Sequence, residues 1–151
     1  SEDNCAVMAA DEIIDYLDDH IEEGWVKNVM EGKTLVRRGK EAAEQINILG
    51  DDGVPVEYHE MFWKSELVDY VILQQDAFDD IDANCPIDRQ KYMFDFVMEM
   101  CRRQYGFADF EECSAFFKQL INLFKQLNYT EWKSEEFAKY ESEIRAFAAT
   151  K

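Results

Sequence analysis

A dense group of aspartates is the first feature of the sequence whose residue types could do chemistry. It comprises Asp76, Asp79, Asp80 and Asp82. Clustered carboxylates are ligands that Mg²⁺ and Ca²⁺ prefer, so a magnesium-dependent enzyme is one hypothesis for the chain. A calcium-binding loop counted from Asp76 would need glycine at its sixth position and glutamate at its twelfth, where the chain has Ile81 and Ile87. We therefore expect no metal site here.

A second candidate is the tripeptide Gly32-Lys33-Thr34, which has the ending of a phosphate-binding loop. Such a loop needs another glycine five residues before Gly32, and that position is Lys27. The residues before it are also helical in pattern, so no glycine-rich nest of backbone N–H groups can form. The tripeptide predicts no nucleotide site by itself.

The histidines and cysteines do not assemble into a nucleophilic centre. His20 and His59 are adjacent to no nucleophile, and both are expected on the surface, with the acidic surroundings of His59 favouring its protonated form. The four cysteines are Cys5, Cys85, Cys101 and Cys113, without any CxxC pair. Because Cys101 and Cys113 lie on apolar helical faces, they are predicted to be reduced, buried thiols of a cytosolic protein. No catalytic residue is predicted.

Charge excludes whole classes of function. The chain has 151 residues with 33 acidic and 16 basic side chains, for a net charge of −17. Nucleic-acid backbones and anionic membranes both require a basic surface, so neither is an expected partner. Apolar runs, such as residues 70–73, are far too short to span a membrane, and no secretory signal is expected. We expect a cytoplasmic protein, and the start at Ser1 suggests part of a longer one.

Helices are expected to position the candidate functional residues of the chain. Two prolines and six glycines interrupt the sequence, and apolar residues recur at steps of three and four. This spacing predicts an all-α fold, a bundle of about six to seven helices with a long helical hairpin. The expected order is an acidic helical lead-in over residues 1–33, whose first helix ends near Gly24, followed by a bundle domain over residues 34–151. A second helix starts at Trp25 and a third ends at Gly50.

The hairpin is predicted from the sequence Asp51-Asp52-Gly53-Val54-Pro55-Val56, because Gly and Pro both resist helix continuation. The helix after this turn should run from about Glu57 to Gln75, antiparallel to the helix before it. Asp109 and Glu112 form a capping-box pattern for a later helix. Thr130 is the expected cap of the last one. Apolar residues such as Met30 and Leu49 are expected in the core.

Acidic residues are concentrated in the second half of the hairpin. Residues 51–82 contain ten acidic side chains and one basic side chain. Such a run is typical of a solvated face, or of a surface that meets a basic partner. A free-standing acidic helical adaptor for protein interactions is therefore an alternative function.

Residues 73–82 read LQQDAFDDID and are continued by Arg89-Gln90-Lys91-Tyr92. This segment resembles the C-terminal helical domain of the catalytic subunit of V-type (archaeal and bacterial A-type) rotary ATPases. Members of that family carry an LQQNAFD run, from which this chain departs by Asp76 in place of Asn. The resemblance covers roughly residues 34–104; residues 105–151 agree in pattern only, and residues 1–33 match weakly.

The resemblance implies roles that composition does not show. Phe78, with Gln75 beside it, would face the adenine of a nucleotide held by a central domain that this chain lacks. No cofactor is expected in the fragment alone, and ATP or ADP with Mg²⁺ is expected only in the whole catalytic subunit. Implied partners are that central domain, the B-type subunits of the ATPase hetero-hexamer, and the central rotor stalk.

The resemblance also implies a mechanical role for the hairpin turn. In position the turn is similar to the apex by which catalytic subunits of rotary ATPases push on the rotor. The implied rotor-contact residues are Asp51, Asp52, Gly53, Val54, Pro55, Val56 and Glu57. Four of these seven are uncharged, so steric push is favoured over ion pairing. The expected function is to couple ATP hydrolysis or synthesis to rotation and ion transport, with no activity in the fragment alone and a peripheral place at the membrane.

Overall fold

The computed structural model describes residues 26–74 and 87–151, and in these ranges the chain is helical without strands. The five α-helices are α1 (Val26–Leu49), α2 (Val56–Gln74), α3 (Ile87–Arg102), α4 (Phe110–Asn128) and α5 (Glu135–Ala148). A short 3₁₀ turn, Asp51–Gly53, joins α1 to α2. The all-α class is confirmed.

The predicted number of six to seven helices is slightly too high for the part of the chain that the structure describes. One reason is α1, a single helix of 24 residues where the sequence suggested a break between two helices. At 1.5 Å per residue, α1 is about 36 Å long. The predicted boundary between residues 33 and 34 falls inside α1, and Val29 belongs to the same core as the rest of the bundle. The expected first helix and the other residues of the lead-in before Val26 lie outside the described residues.

Glycines let α1 lie directly against its neighbours. A Cβ placed on Gly39 would overlap the Ser65 side chain of α2, and a Cβ on Gly32 would lie 2.6 Å from Phe94 Cζ of α3. Glycine within a helix is normally unfavourable because it loses more backbone entropy than alanine. Here the close approach of the helices accounts for both positions. The tripeptide Gly32-Lys33-Thr34 thus lies within a packed helix, and a helix cannot form the phosphate-binding loop that its sequence resembles.

Helix α2 lies at the centre of the bundle and contacts α1, α3 and α4. This position explains why α2 buries residues on several faces, including Leu67, Val68 and Ile72. Aromatic side chains fill the space between α3, α4 and α5: the Phe96 and Phe124 ring centroids are 5.2 Å apart, a separation favourable for aromatic pairs.

The helix caps confirm one prediction and correct another. The Asp109 carboxylate accepts a hydrogen bond from the Glu112 amide at 2.8 Å, which is the predicted N-cap of α4. The predicted Thr130 cap is wrong, because the Thr130 hydroxyl instead donates to the Leu127 carbonyl at 2.7 Å. The chain needs a further turn before α5, and Ser134 is the cap, accepting from the Phe137 amide at 3.1 Å.

Two residues assigned to the core from their spacing are on the surface. Met30 is 57% exposed and Leu49 is 55% exposed. Both lie on the long helix α1, which packs against other helices with one face only. The periodicity of the sequence identified the correct helix but not the limits of the face that its neighbours cover.

The close approach at Gly39 leads to a first prediction. Gly39→Ala should destabilise the chain by about 1–3 kcal/mol, because the overlap with Ser65 outweighs the better helix propensity of alanine. Urea denaturation followed by circular dichroism measures the change. In a Ser65→Gly background the same substitution should cost much less, since the opposing Cβ is gone. An unchanged or increased stability of Gly39→Ala would contradict this account of the hairpin.

Candidate functional site

The turn between α1 and α2, residues 50–57, is the candidate site and is called here the hairpin tip. The chain leaves α1 at Gly50 with φ +85°, a backbone conformation that glycine adopts without the strain other residues would meet. The Gly53 amide then donates to the Gly50 carbonyl at 3.0 Å, and Val54 is extended. Pro55 precedes the first residue of α2, and its carbonyl accepts from the Tyr58 amide at 3.0 Å. The tip is therefore a defined turn.

The structure brings the predicted rotor-contact residues together at one end of the hairpin. Of these seven residues, five are exposed and two are half-buried; Asp51, Asp52, Gly53, Pro55 and Glu57 are exposed, and Val54 and Val56 are half-buried. The three acids are all at the surface of the tip. Their role as a contact with another protein of the complex remains a prediction.

Apolar side chains that sequence reasoning missed border the tip. Ile48 is 73% exposed, and with Leu49 it forms the last turn of α1. Tyr58, in the first turns of α2, is 41% exposed. Large apolar side chains at a surface are commonly part of binding sites when they are contiguous. The sequence did contain a signal for this surface, because Ile48 and Leu49 are adjacent apolar residues directly before a turn. The helical pattern nevertheless assigned Leu49 to the core.

His59 is buried, so its predicted surface position is wrong. It is 4% exposed, its Nε2 lies 2.8 Å from the Asp51 carbonyl oxygen, and its ring stacks on Phe110 with centroids 5.3 Å apart. The prediction rested on acidic neighbours in sequence, Glu57 and Glu60, which point to other sides of α2. The usable signal was spacing, because His59 precedes Phe62 and Trp63 by three and four residues and shares their face.

A groove of about 510 Å³ lies between the hairpin and the beginning of α4. Its lining includes Asn47, Asp51, His59, Trp63, Phe110 and Lys118. The Lys118 ammonium lies 6.0 Å from the centre of the Trp63 ring, within reach of a cation–π contact. The groove thus runs from the tip along the bundle, and His59 forms part of its wall.

The structure does not place the predicted adenine-side residues. Gln75 and Phe78 lie outside the described residues, as do Asp76, Asp79, Asp80 and Asp82. Helix α2 is described as far as Gln74, so it connects the tip to the sequence position just before this motif. In the described part of the chain, no three His, Cys, Asp or Glu side chains are arranged to hold a metal ion.

The second part of the motif stabilises the fold. Arg89 is fully buried, and its guanidinium donates to the carbonyls of Asn128 and Thr130, each at 3.2 Å. These carbonyls lie at the C-terminal end of α4, where helical acceptors are left without intrahelical donors and a cation is favourable. Tyr92 packs against Trp132 with ring centroids 5.3 Å apart. This part of the motif therefore holds α3 against the end of α4.

The two described cysteines are free and buried, as predicted. Burial raises the pKa of Cys101 to about 12 and that of Cys113 also to about 12. A thiol with so high a pKa is protonated near neutral pH and is a poor nucleophile. Neither residue is a candidate for catalysis. Within residues 26–74 and 87–151, no helix has the length and apolar character that a membrane span requires.

In the described residues, these features define an all-helical domain with exposed acidic and apolar side chains at and beside the tip of a helical hairpin. The chain is 34% identical over 127 residues to the V-type ATP synthase alpha chain of Chlamydia caviae, which covers 84% of this chain and 21% of that protein. It is also 34% identical over 116 residues to the V-type ATP synthase alpha chain 1 of Treponema pallidum, covering 77% of this chain and 20% of the relative. The chain is therefore similar to V-type ATP synthase alpha chains over most of its length, as its sequence motif indicated, and the match is consistent with their C-terminal helical domain.

The chain spans about a fifth of the length of these relatives. No protein-family model matches it, and no solved structure matches it.

The thiol pKa values give a prediction for stability at alkaline pH. Unfolded thiols have a pKa near 8.5, whereas the folded thiols keep their protons to about pH 12. The folded state therefore binds more protons above about pH 9, and the free energy of unfolding should fall with rising pH, by up to about 1.4 kcal/mol per pH unit per thiol. Urea denaturation between pH 8 and pH 10 measures this slope.

The matched controls are Cys101→Ala and Cys113→Ala. Each substitution should remove the contribution of one thiol to the fall in the free energy of unfolding with pH. The loss of packing also lowers the free energy of unfolding, but by the same amount at every pH. If the slope of the Cys101→Ala protein equalled that of the unchanged chain, the folded thiol would not retain its proton as described.

Proposed function

We propose that the chain is the C-terminal helical domain of the catalytic subunit of a V-type ATPase and that it couples ATP hydrolysis or synthesis to rotor rotation. The observation that carries the proposal is the hairpin: two long helices, in contact through Gly39 and Ser65, end in an ordered, exposed tip. Similarity to V-type ATP synthase alpha chains favours this function over a free-standing acidic adaptor.

The hairpin is suited to pass a displacement along its length. Helix α2 has 19 residues, which corresponds to about 28 Å. Close-packed helices move as rigid bodies, because sliding or bending would disrupt their interlocked side chains. A swing at the end of α2 near Gln74 would therefore move the tip. In the full-length protein, that end leads into the motif with Gln75 and Phe78, which we propose contacts the adenine of ATP or ADP.

The proposed partners follow from this arrangement. The central nucleotide-binding domain of the same polypeptide would hold the nucleotide with Mg²⁺, the B-type subunits would complete the hetero-hexamer, and the central rotor stalk would meet the tip. The chain would thus work at the membrane as a peripheral part of the ATPase complex.

The surface of the tip favours a steric and apolar push. Ile48 and Leu49 are large, exposed apolar residues, and they lie directly before the turn. Exposed ion pairs contribute little energy in water, whereas apolar side chains covered by a partner resist displacement through packing. We therefore propose Ile48 and Leu49 as rotor-contact residues beside the turn.

The rotor contact can be tested in the assembled ATPase. Ile48→Asp combined with Leu49→Asp should lower the number of ions transported per ATP hydrolysed by more than about half, because carboxylates resist burial against a partner. ATP hydrolysis itself should persist. Parallel assays of proton or sodium uptake and of phosphate release in membrane vesicles measure the ratio.

Two variants serve as controls for this experiment. Met30→Asp makes the same change at an exposed residue at the far end of α1 and should leave the ratio unchanged. Asp51→Asn with Asp52→Asn removes charge from the tip but keeps its shape, and should have little effect. Loss of coupling in the Asn variant alone would show that ion pairs drive the contact, and no loss in either tip variant would refute the proposed contact.

The adenine role of Phe78 can be tested in the full-length protein. Phe78→Ala should weaken ATP affinity about tenfold, since stacking on an aromatic ring contributes about 1–3 kcal/mol per base. Titration calorimetry measures the affinity, with Tyr129→Ala as a control at an exposed aromatic residue elsewhere. The isolated chain should bind no ATP with or without the change. An unaltered affinity in the full-length Phe78→Ala protein would remove this role.

A further inference from the structure

His59 connects the hairpin tip to the beginning of α4. One side of its ring system reaches the turn: Nε2 lies 2.8 Å from the Asp51 carbonyl oxygen. Because a carbonyl only accepts, Nε2 must carry a proton and donate it. The His59 side chain is buried, with 4% of the residue exposed, so water has little access to the donor.

The face of the same ring reaches α4. The His59 and Phe110 rings are stacked, with centroids 5.3 Å apart and planes inclined by 27°. Phe110 is the first residue of α4, directly after Asp109, which caps the N-terminus of this helix. The position of Phe110 is thus set by the hydrogen bond between Asp109 and the Glu112 amide.

The backbone bonds of the turn are local. They run from the Gly53 amide to the Gly50 carbonyl and from the Gly50 amide to the Ile46 carbonyl. Local bonds fix the shape of the turn but not its position relative to α4. Val56 packs against the core at the start of α2, and the hydrogen bond and the stacking of His59 add a direct connection from the turn to α4.

We propose that His59 is the positioning residue of the hairpin tip: it holds the turn through the Asp51 carbonyl and joins it to α4 through Phe110, so that tip and bundle move as one body. The identity of the partner that the tip contacts rests on the proposed function. The connection between tip and bundle through His59 is independent of that function. Without His59 a force on the tip would bend the turn before it moved the helices behind it.

Two substitutions separate the two contacts of His59. His59→Phe keeps a flat ring for Phe110 but has no donor for Asp51. His59→Gln keeps an N–H donor at a similar distance along the side chain but loses the ring. Ile144→Val, a buried change in α5 far along the chain from the tip, is the control for a general loss of stability.

The first measurement is amide hydrogen exchange by NMR on the chain itself. In His59→Phe the Gly53 amide should exchange about tenfold faster, because the turn loses a buried hydrogen bond. In His59→Gln the exchange should stay within about threefold of the unchanged chain. In Ile144→Val the Gly53 amide should not change relative to other turn amides. Equal exchange at Gly53 in His59→Phe and in the unchanged chain would overturn the proposal.

The second measurement is made in the assembled ATPase. His59→Phe and His59→Gln should each lower the number of ions transported per ATP hydrolysed while ATP hydrolysis continues, because each variant keeps only one of the two contacts of His59. An equal loss in Ile144→Val would assign the effect to general stability and would overturn the positioning role.

The outcomes separate this proposal from the proposed function. If Ile48→Asp with Leu49→Asp leaves coupling intact, the rotor contact fails, and the exchange experiment still decides whether His59 holds the tip. If the tip variants uncouple the ATPase but His59→Phe changes neither exchange nor coupling, the rotor contact stands and the role of His59 fails.

Discussion

The close approach of α1 and α2 is the constraint on which the rest of this structure depends. At Gly39 there is no room for a Cβ, because Ser65 occupies that space, and at Gly32 the ring of Phe94 does the same. The two glycines are seven residues apart, so they lie on nearly the same face of α1, two turns from one another. Through them α1 lies against α2 and α3. A hairpin packed in this way is stiff, and stiffness is what the proposed mechanical role requires.

Basic residues make several of the polar contacts that hold the helices of this acidic chain together. Lys64 is buried, and its ammonium donates to the Arg103 carbonyl at 2.8 Å while forming an ion pair with Glu60 at 2.8 Å, which ties α2 to the segment after α3. Arg89 binds the end of α4 from inside the bundle. Arg102 and Arg145 form surface ion pairs with Glu31 and Glu99, at 2.9 Å and 3.0 Å. Exposed pairs of this kind contribute little, so the buried arginine and lysine are the stronger ties.

The hairpin tip combines local order with a position set from outside. Its shape follows from Gly50, Pro55 and a single 3₁₀ turn. Its relation to the bundle depends on His59 and Phe110, which belong to different helices. The same arrangement leaves Ile48 and Leu49 exposed beside the turn. A residue that connects the tip to the bundle and residues that face outward are both consistent with an element that transmits a push.

The sequence by itself determined the helical class, the hairpin and its turn, the Asp109 cap, the buried thiols of Cys101 and Cys113, and the similarity to V-type ATP synthase alpha chains. These depend on periodicity, on Gly and Pro, and on short motifs, all of which act over a few residues. Only the tertiary structure decided that α1 is continuous, that Ser134 rather than Thr130 caps α5, that Leu49 is exposed and that His59 is buried. The reason is physical: whether a face is covered, or a ring has a partner, depends on residues from other helices. Spacing along one helix does not contain that information.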